Sequence, residues 1–211
     1  MNEPMLIQYA RQGNLNAFNQ LVLVYQDLIY RQAYYLLGDR ESAEDATQES
    51  FISAFRCLHM FRGGSFKCWL LRIVTNACYD ELRRRKRSRS LSLEPESEDD
   101  TAGESSSWLV DLGESPDNYA ERADLARQLR QQLDRLAPDF RSAVVLVDIQ
   151  GMDYRQAAQT LAIPIGTLKS RLARARMQLR ARLCQAEAEV SVTRDQELSD
   201  TSPLLLSRPV G

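Results

Sequence analysis

Between Asp153 and Glu187 the chain carries no acidic residue, and within that span lie Thr167, Lys169, Ser170, Arg171, Arg174 and Arg176. Guanidinium and ammonium groups neutralise phosphates, while short hydroxyls and arginine forks read base edges, so this set suits duplex DNA. A second basic set is the run Arg83-Arg84-Arg85-Lys86-Arg87, with Lys67, Arg72 and Asn76 upstream of it. Cations at a helix C-terminus complement the macrodipole, but five in succession exceed what capping needs. Phe61, Phe66, Trp69 and Tyr79 are interleaved with these bases. Charge for phosphates and flat faces for bases are what single-stranded nucleic acid requires. Some of these aromatics must be core, Trp69 first among them. A third set is acidic: Glu41, Asp45, Gln48, Glu49 and Ile52 recur at three- and four-residue steps and share one helix face. Such a face suits a basic partner.

Other chemistries find no support. The four cysteines, Cys57, Cys68, Cys78 and Cys184, form no C-x-x-C pair, and the single histidine, His59, beside Cys57 does not complete a zinc site. Inward-packed thiols in a reducing compartment are expected. Asp80 and Glu81 beside Arg83 read as helix-surface charges, and no constellation of nucleophile and base points to catalysis or a cofactor. No signal-like start and no apolar run of spanning length occurs, so membrane insertion is not expected and a cytoplasmic protein is.

The elements that must position these groups are helical throughout, and the expected fold class is all-α, two small helical bundles joined by a flexible acidic linker. Asn14 caps a helix with Phe18, Leu21, Tyr25, Ile29 and Ala33 at helical spacing, ended by Gly38; Asp39 caps the helix bearing the acidic face. Met60 to Ser65 form a loop, and Ser65 can cap a helix from Phe66 to about Arg87, closing a first domain over 1–87. Residues 88–115 are rich in Ser, Glu and Asp and form the linker, with Trp108, Leu109, Val110 and Leu112 as an apolar island. Ser115-Pro116 starts the second domain, 116–184, with Leu125, Leu129, Leu133 and Leu136 facing inward. Residues 185–211 read as a disordered tail. Within the second domain Asp153 caps a short helix carrying Ala157, Ala158 and Leu161, Ala162-Ile163-Pro164 breaks the chain, and Leu168, Leu172, Ala175 and Leu179 line the next helix. This is a helix-turn-helix whose second helix is built to enter a major groove.

Three motifs in this order, DRESAEDATQESFISAF (39–55), FRGGSFKCWLLRIVTNACYDELRRRKR (61–87) and DIQGMDYRQAAQTLAIPIGTLKSRLARARMQLR (148–180), resemble the extracytoplasmic-function sigma factors of bacteria. The resemblance implies a dissociable subunit of RNA polymerase that confers promoter recognition. The first domain resembles sigma region 2, the second region 4. Asp45, Gln48, Glu49 and Ile52 would dock the clamp helices of the polymerase β′ subunit, and the second domain would meet the β flap. Phe61, Arg62, Ser65, Phe66, Lys67, Arg72, Asn76, Arg83 and Arg84 would capture the melted −10 strand. Thr167, Lys169, Ser170, Arg171, Arg174 and Arg176 would grip the duplex −35 element. Control by an anti-sigma factor is also implied.

The chain departs from the family pattern in its turn, where Ala162 stands for a usual glycine, at Asp153 for a usual serine, and at Ala157 for a larger aliphatic. A left-handed alanine would cost on the order of 1 kcal/mol. Two other readings remain open at this point. A dimeric helix-turn-helix regulator on a palindromic operator would leave the acidic face and the first domain's bases unused, and a recombinase lacks a catalytic centre.

Overall fold

A computed structural model describes residues 2–91 and 127–200, with side chains over 2–88 and 127–183. Helices α1 (Glu3–Arg11), α2 (Leu15–Leu37), α3 (Arg40–Cys57) and α4 (Phe66–Leu91) form the first lobe, with a single 3₁₀ turn at Leu58–Met60. The second lobe contains α5 (127–134), α6 (Pro138–Val144), a π-helical turn over Val145–Ile149, α7 (Tyr154–Thr160) and α8 (Ile165–Asp200). There is no strand among the described residues.

Local chemistry sets the boundaries. The Asn14 side chain accepts from the Ala17 amide at 3.1 Å and the Asp39 carboxylate from the Ser42 amide at 2.8 Å, each satisfying an otherwise orphaned donor. Gly38 takes φ 85° to end α2. Ser65 Oγ accepts from the Cys68 amide at 3.2 Å to open α4. Arg85 then fastens the far end of α4 to the start of α3. Its guanidinium donates to Asp39 Oδ2 at 2.6 Å and to the Leu37 carbonyl at 3.3 Å, and its Nε meets Glu81 Oε1 at 3.0 Å. Burial raises the Asp39 carboxyl, but the Ser42 amide and Arg85 prevail and hold it below its ordinary value.

The first lobe closes over Leu21, Ile29, Leu58, Phe66, Leu70, Leu71 and Val74, all nearly inaccessible, with Gln32 Nε2 donating to Thr75 Oγ1 between α2 and α4. The second closes over Leu133, Leu146, Ala157, Leu168, Leu172 and Ala175. These buried sets are continuous with one another, because the lobes are docked. Arg141, only 8% exposed, sends Nη1 to the Leu36 carbonyl at 2.8 Å, and Arg130 lies over the Tyr34 ring at 4.2 Å while donating to the Gly38 carbonyl. Asp134 pairs with Arg141 at 3.3 Å, yet burial pushes both toward neutrality, Asp134 up and Arg141 down.

Several expectations change. Helix α4 runs past Arg87 to Leu91, and the tail expected to lack order from residue 185 is helical to Asp200. Phe61 and Phe66 are the interior aromatics, at 6% and 1% exposure, while Trp69 is only partly buried at their edge. Cys57 is exposed rather than inward-packed; Cys68 is partly buried, and burial raises the Cys78 thiol to about 12, which keeps it protonated. The linker beyond residue 91, the Trp108 island, the Ser115-Pro116 start, Leu125 and residues 201–211 lie outside the described residues.

Candidate nucleic-acid and partner interfaces

The helix-turn-helix is positioned by two backbone devices. Asp153 and Gln156 form a reciprocal capping box at the start of α7: Asp153 Oδ1 accepts from the Gln156 amide at 2.8 Å, and Gln156 Oε1 accepts from the Asp153 amide at 3.3 Å. At its end, the Ile163 amide reaches the Ala158 carbonyl at 3.0 Å and the Ala162 amide reaches the Gln159 carbonyl at 3.2 Å. These are the two bonds of a Schellman turn, which demands a left-handed residue at its C′ position. Ala162 supplies it at φ 52°, the one non-glycine residue with positive φ among those described. Pro164 follows, and the Leu168 amide takes up its carbonyl at 3.0 Å to launch α8.

Leu168, Leu172, Ala175 and Leu179 seat α8 on the lobe, which turns Lys169, Ser170 and Arg174 outward. Thr167 is half-buried, its carbonyl accepting from Ser170 Oγ at 2.9 Å. The two other arginines already have partners: Arg171 meets Asp139 Oδ2 at 2.7 Å, and Arg176 makes a two-pronged pair with Asp148 at 3.1 and 2.5 Å. Beside the α8 N-terminus a cleft of about 520 Å³ is lined by Arg155, Gln159 and Ile165. Arg155 and Gln159 escaped sequence reasoning because only the folded turn brings this side of α7 beside Ile165 at the start of α8.

On α4, Arg72 and Asn76 are exposed one turn apart, and Arg62 and Ser65 are exposed in the preceding loop. Phe61 and Phe66 are not available as stacking platforms. They pack edge-on to each other at 5.5 Å, and Phe66 is further enclosed by Trp69 at 5.5 Å and Tyr25 at 5.6 Å. Lys67 reaches the Gln150 carbonyl of the second lobe at 2.9 Å. Of the basic run, Arg83 pairs with Asp80 at 3.0 Å and Arg84 with Glu81 at 2.6 Å through exposed guanidinia. Exposed pairs of this kind exchange readily for phosphates. Arg85, by contrast, is structural. The Tyr79 hydroxyl shares a hydrogen bond of 2.7 Å with Ser142 Oγ and reaches Asp139 Oδ1 at 3.3 Å; burial raises it above the ordinary tyrosine value, so it is a neutral hydroxyl.

On α3, Asp45, Gln48 and Glu49 are exposed, and Ile52 presents 47% of its surface. This strip flanks an open groove of about 820 Å³ between α2 and α3, floored by Leu15, Phe18, Val22, Phe51, Ile52 and Phe55. An apolar trough with an acidic edge fits an amphipathic basic helix. The α2 contribution was not read from the sequence, where Phe18 counts only as part of the inward stripe. No cluster of metal-ligating side chains exists among the described residues, and no described helix is long and apolar enough to cross a membrane.

The family model for sigma-70 region 2 matches residues 21–88 and that for sigma-70 region 4 matches 126–179. The chain is 38% identical to the ECF RNA polymerase sigma factor SigE of Mycolicibacterium smegmatis over 85% of its own length and 66% of the relative's. It is 34% identical to the RNA polymerase sigma-H factor of Pseudomonas aeruginosa, covering 82% and 90% respectively. It is 32% identical to the ECF RNA polymerase sigma factor SigW of Bacillus subtilis, covering 84% and 94%. In three dimensions it is similar to the sigma factor RpoE in complex with the anti-sigma factor NepR from Bartonella quintana, with a TM-score of 0.63 at 28% identity, covering 79% of this chain and 96% of that one. It is also similar to CnrH in complex with the cytosolic domain of CnrY, with a TM-score of 0.59 at 25% identity, covering 86% and 96%.

Proposed function

Because the chain belongs to the extracytoplasmic-function branch of the sigma-70 family, we propose that it binds core RNA polymerase and directs initiation at a set of promoters. The observation that carries this is the pairing, in one chain, of an exposed basic recognition helix with an acid-edged apolar groove on another lobe. A DNA-binding regulator alone has no use for the groove.

The β′ clamp helices dock along Asp45, Gln48, Glu49 and Ile52, with the α2–α3 groove taking their apolar side chains. The second lobe meets the β flap and lays α8 in the −35 major groove. There Lys169, Ser170 and Arg174 are already free to contact DNA, while Arg171 and Arg176 must exchange a carboxylate for a phosphate. Arg62, Ser65, Arg72 and Asn76 hold the melted −10 strand, and Arg83, Arg84 and Lys67 add phosphate contacts. With Phe61 and Phe66 inside, the flipped base must be held by polar loop atoms and the edge of Trp69. The factor is not an enzyme; it acts in the cytoplasm, where the polymerase is, and an anti-sigma factor controls it, a reading supported by the likeness to RpoE bound to the anti-sigma factor NepR.

The test is transcription in vitro with core polymerase over genomic fragments, sequencing the start sites. Start sites sharing −10 and −35 elements, lost with Arg174→Ala, support the reading. Purified chain that neither binds core polymerase nor yields promoter-specific run-off product overturns it.

A further inference from the structure

Helix α1 carries none of the contacts assigned above to DNA or polymerase, yet it is fastened to the loop that those contacts require. Its apolar residues Leu6, Ile7 and Ala10 are buried, and it packs on α2 and on the 3₁₀ turn at Leu58–Met60 that leads into that loop. Burial of that face is enough to hold α1 in place. A polar link reaches further. The Tyr25 hydroxyl, on α2, donates to Glu3 Oε2, in the first turn of α1, at 2.7 Å. Burial and this hydrogen bond raise the hydroxyl above the ordinary tyrosine value, so it stays a donor at any physiological pH.

The Tyr25 ring in turn meets Phe66 edge-on at 5.6 Å. Phe66 meets Phe61 edge-on at 5.5 Å, and Trp69 lies 5.4 Å from Phe61 and 5.5 Å from Phe66. Phe61 and Phe66 are the posts at either end of the loop 62–65. Between them Gly63 and Gly64 take φ 96° and 90°, and nothing stands within 4 Å of the place where a Cβ would lie on either. Left-handed glycines without neighbours give the middle of the loop no shape of its own. Its shape is inherited from its two aromatic posts. Edge-to-face contacts are directional, so a tilt of the Tyr25 ring displaces Phe66 and, through it, Phe61.

We propose that Glu3 and Tyr25 are positioning residues for promoter opening: α1 braces the aromatic posts of the 62–65 loop, so that the pocket for the melted −10 base keeps one shape and prefers one base. Neither residue touches DNA. Their effect falls on the choice between bases, because a loop that wanders accepts several bases at similar energy, whereas a fixed one leaves the wrong base unpaired.

The inference rests on the −10 contacts proposed for Arg62 and Ser65, and its test separates the two. Holoenzyme assembled from the full-length chain and core polymerase transcribes a promoter found by start-site mapping, with each base placed in turn at the non-template −10 positions. Parent, Tyr25→Phe, Glu3→Ala and Glu3→Gln are compared for the ratio of product from the best base to product from the worst, alongside core affinity by fluorescence titration. Tyr25→Phe removes the hydroxyl and keeps the ring; Glu3→Gln keeps an oxygen to accept it. The brace predicts discrimination reduced about two- to fivefold in Tyr25→Phe and Glu3→Ala, the factor one hydrogen bond contributes, parent-like discrimination in Glu3→Gln, and unchanged core affinity in all three. Product lost equally for every base marks a merely structural contact and overturns the brace, as does Glu3→Gln behaving like Glu3→Ala. A parent that discriminates beside variants that discriminate equally well refutes the brace alone. A parent without promoter-specific product refutes the promoter reading and the brace with it.

Discussion

Replacing Ala162 by glycine isolates the energetic cost of the turn between α7 and α8. Ala162 sits at φ 52°, where an L-residue with a Cβ costs about 1–2 kcal/mol relative to its ordinary wells. The Schellman bonds from Ile163 to Ala158 and from Ala162 to Gln159 forbid escape from that conformation without giving up both. Its methyl group is exposed, so deletion removes no buried area. Against the relief stands the extra freedom glycine brings to the unfolded chain, worth about 0.4–1 kcal/mol. Ala162→Gly is therefore expected to stabilise the second lobe by about 0.5–1 kcal/mol, a rise of about 3–6 °C in the melting transition of a unit this size. Differential scanning calorimetry on the full chain reads this directly. Ala162→Val, β-branched at positive φ, should lower the same transition by a larger amount. If glycine leaves the transition unmoved or lowers it, the turn is not strained and the reasoning fails.

Asp45→Arg reverses a charge on the exposed strip of α3 and should weaken core polymerase binding by tenfold or more in a fluorescence titration, while circular dichroism and the melting temperature stay as in the parent. Asp39→Ala removes the α3 cap and the Arg85 anchor together and should cost about 1–2 kcal/mol at neutral pH. Because the folded Asp39 carboxyl lies below its unfolded value, its contribution is complete above the ordinary carboxylate range and is lost as pH falls through the folded value. The gap between parent and variant in urea melts should accordingly close on acidification below about pH 4. Phe66→Ala should cost about 3–5 kcal/mol and unfold the first lobe rather than selectively weaken −10 binding; selective loss with an intact fold would restore Phe66 as a base platform.

What could be read from the sequence is what is decided within a turn of chain. Asn14, Asp39, Ser65 and Asp153 cap because a short side chain reaches an amide two or three residues on, whatever surrounds it. The stripe Leu168, Leu172, Ala175, Leu179 follows from helical period alone. Phe66 and Trp69 are three residues apart on one face, and only the arrival of Tyr25 from α2 settles which goes deeper. Arg83, Arg84 and Arg85 are identical in type and adjacent, yet one is structural because Asp39 and Leu37 lie beneath it. The diversion of Lys67 to Gln150 and of Tyr79 to Ser142 depends on partners more than sixty residues away, which no local pattern records.

On the proposed reading, the Arg85 anchor joins two elements that face different molecules. One end of it lies on α4, which on the proposed reading holds the separated strand, and the other grips the residue that starts α3, which on the same reading faces polymerase. Strand separation pulls on α4, and a helix free to slide would dissipate that pull within the lobe. With its far end pinned to the head of α3, the load passes into the polymerase-facing helix without slack. On that reading the first lobe acts as a rigid lever on the enzyme it docks to, with the Arg85 guanidinium tying α4 to the head of α3 beside their shared apolar core.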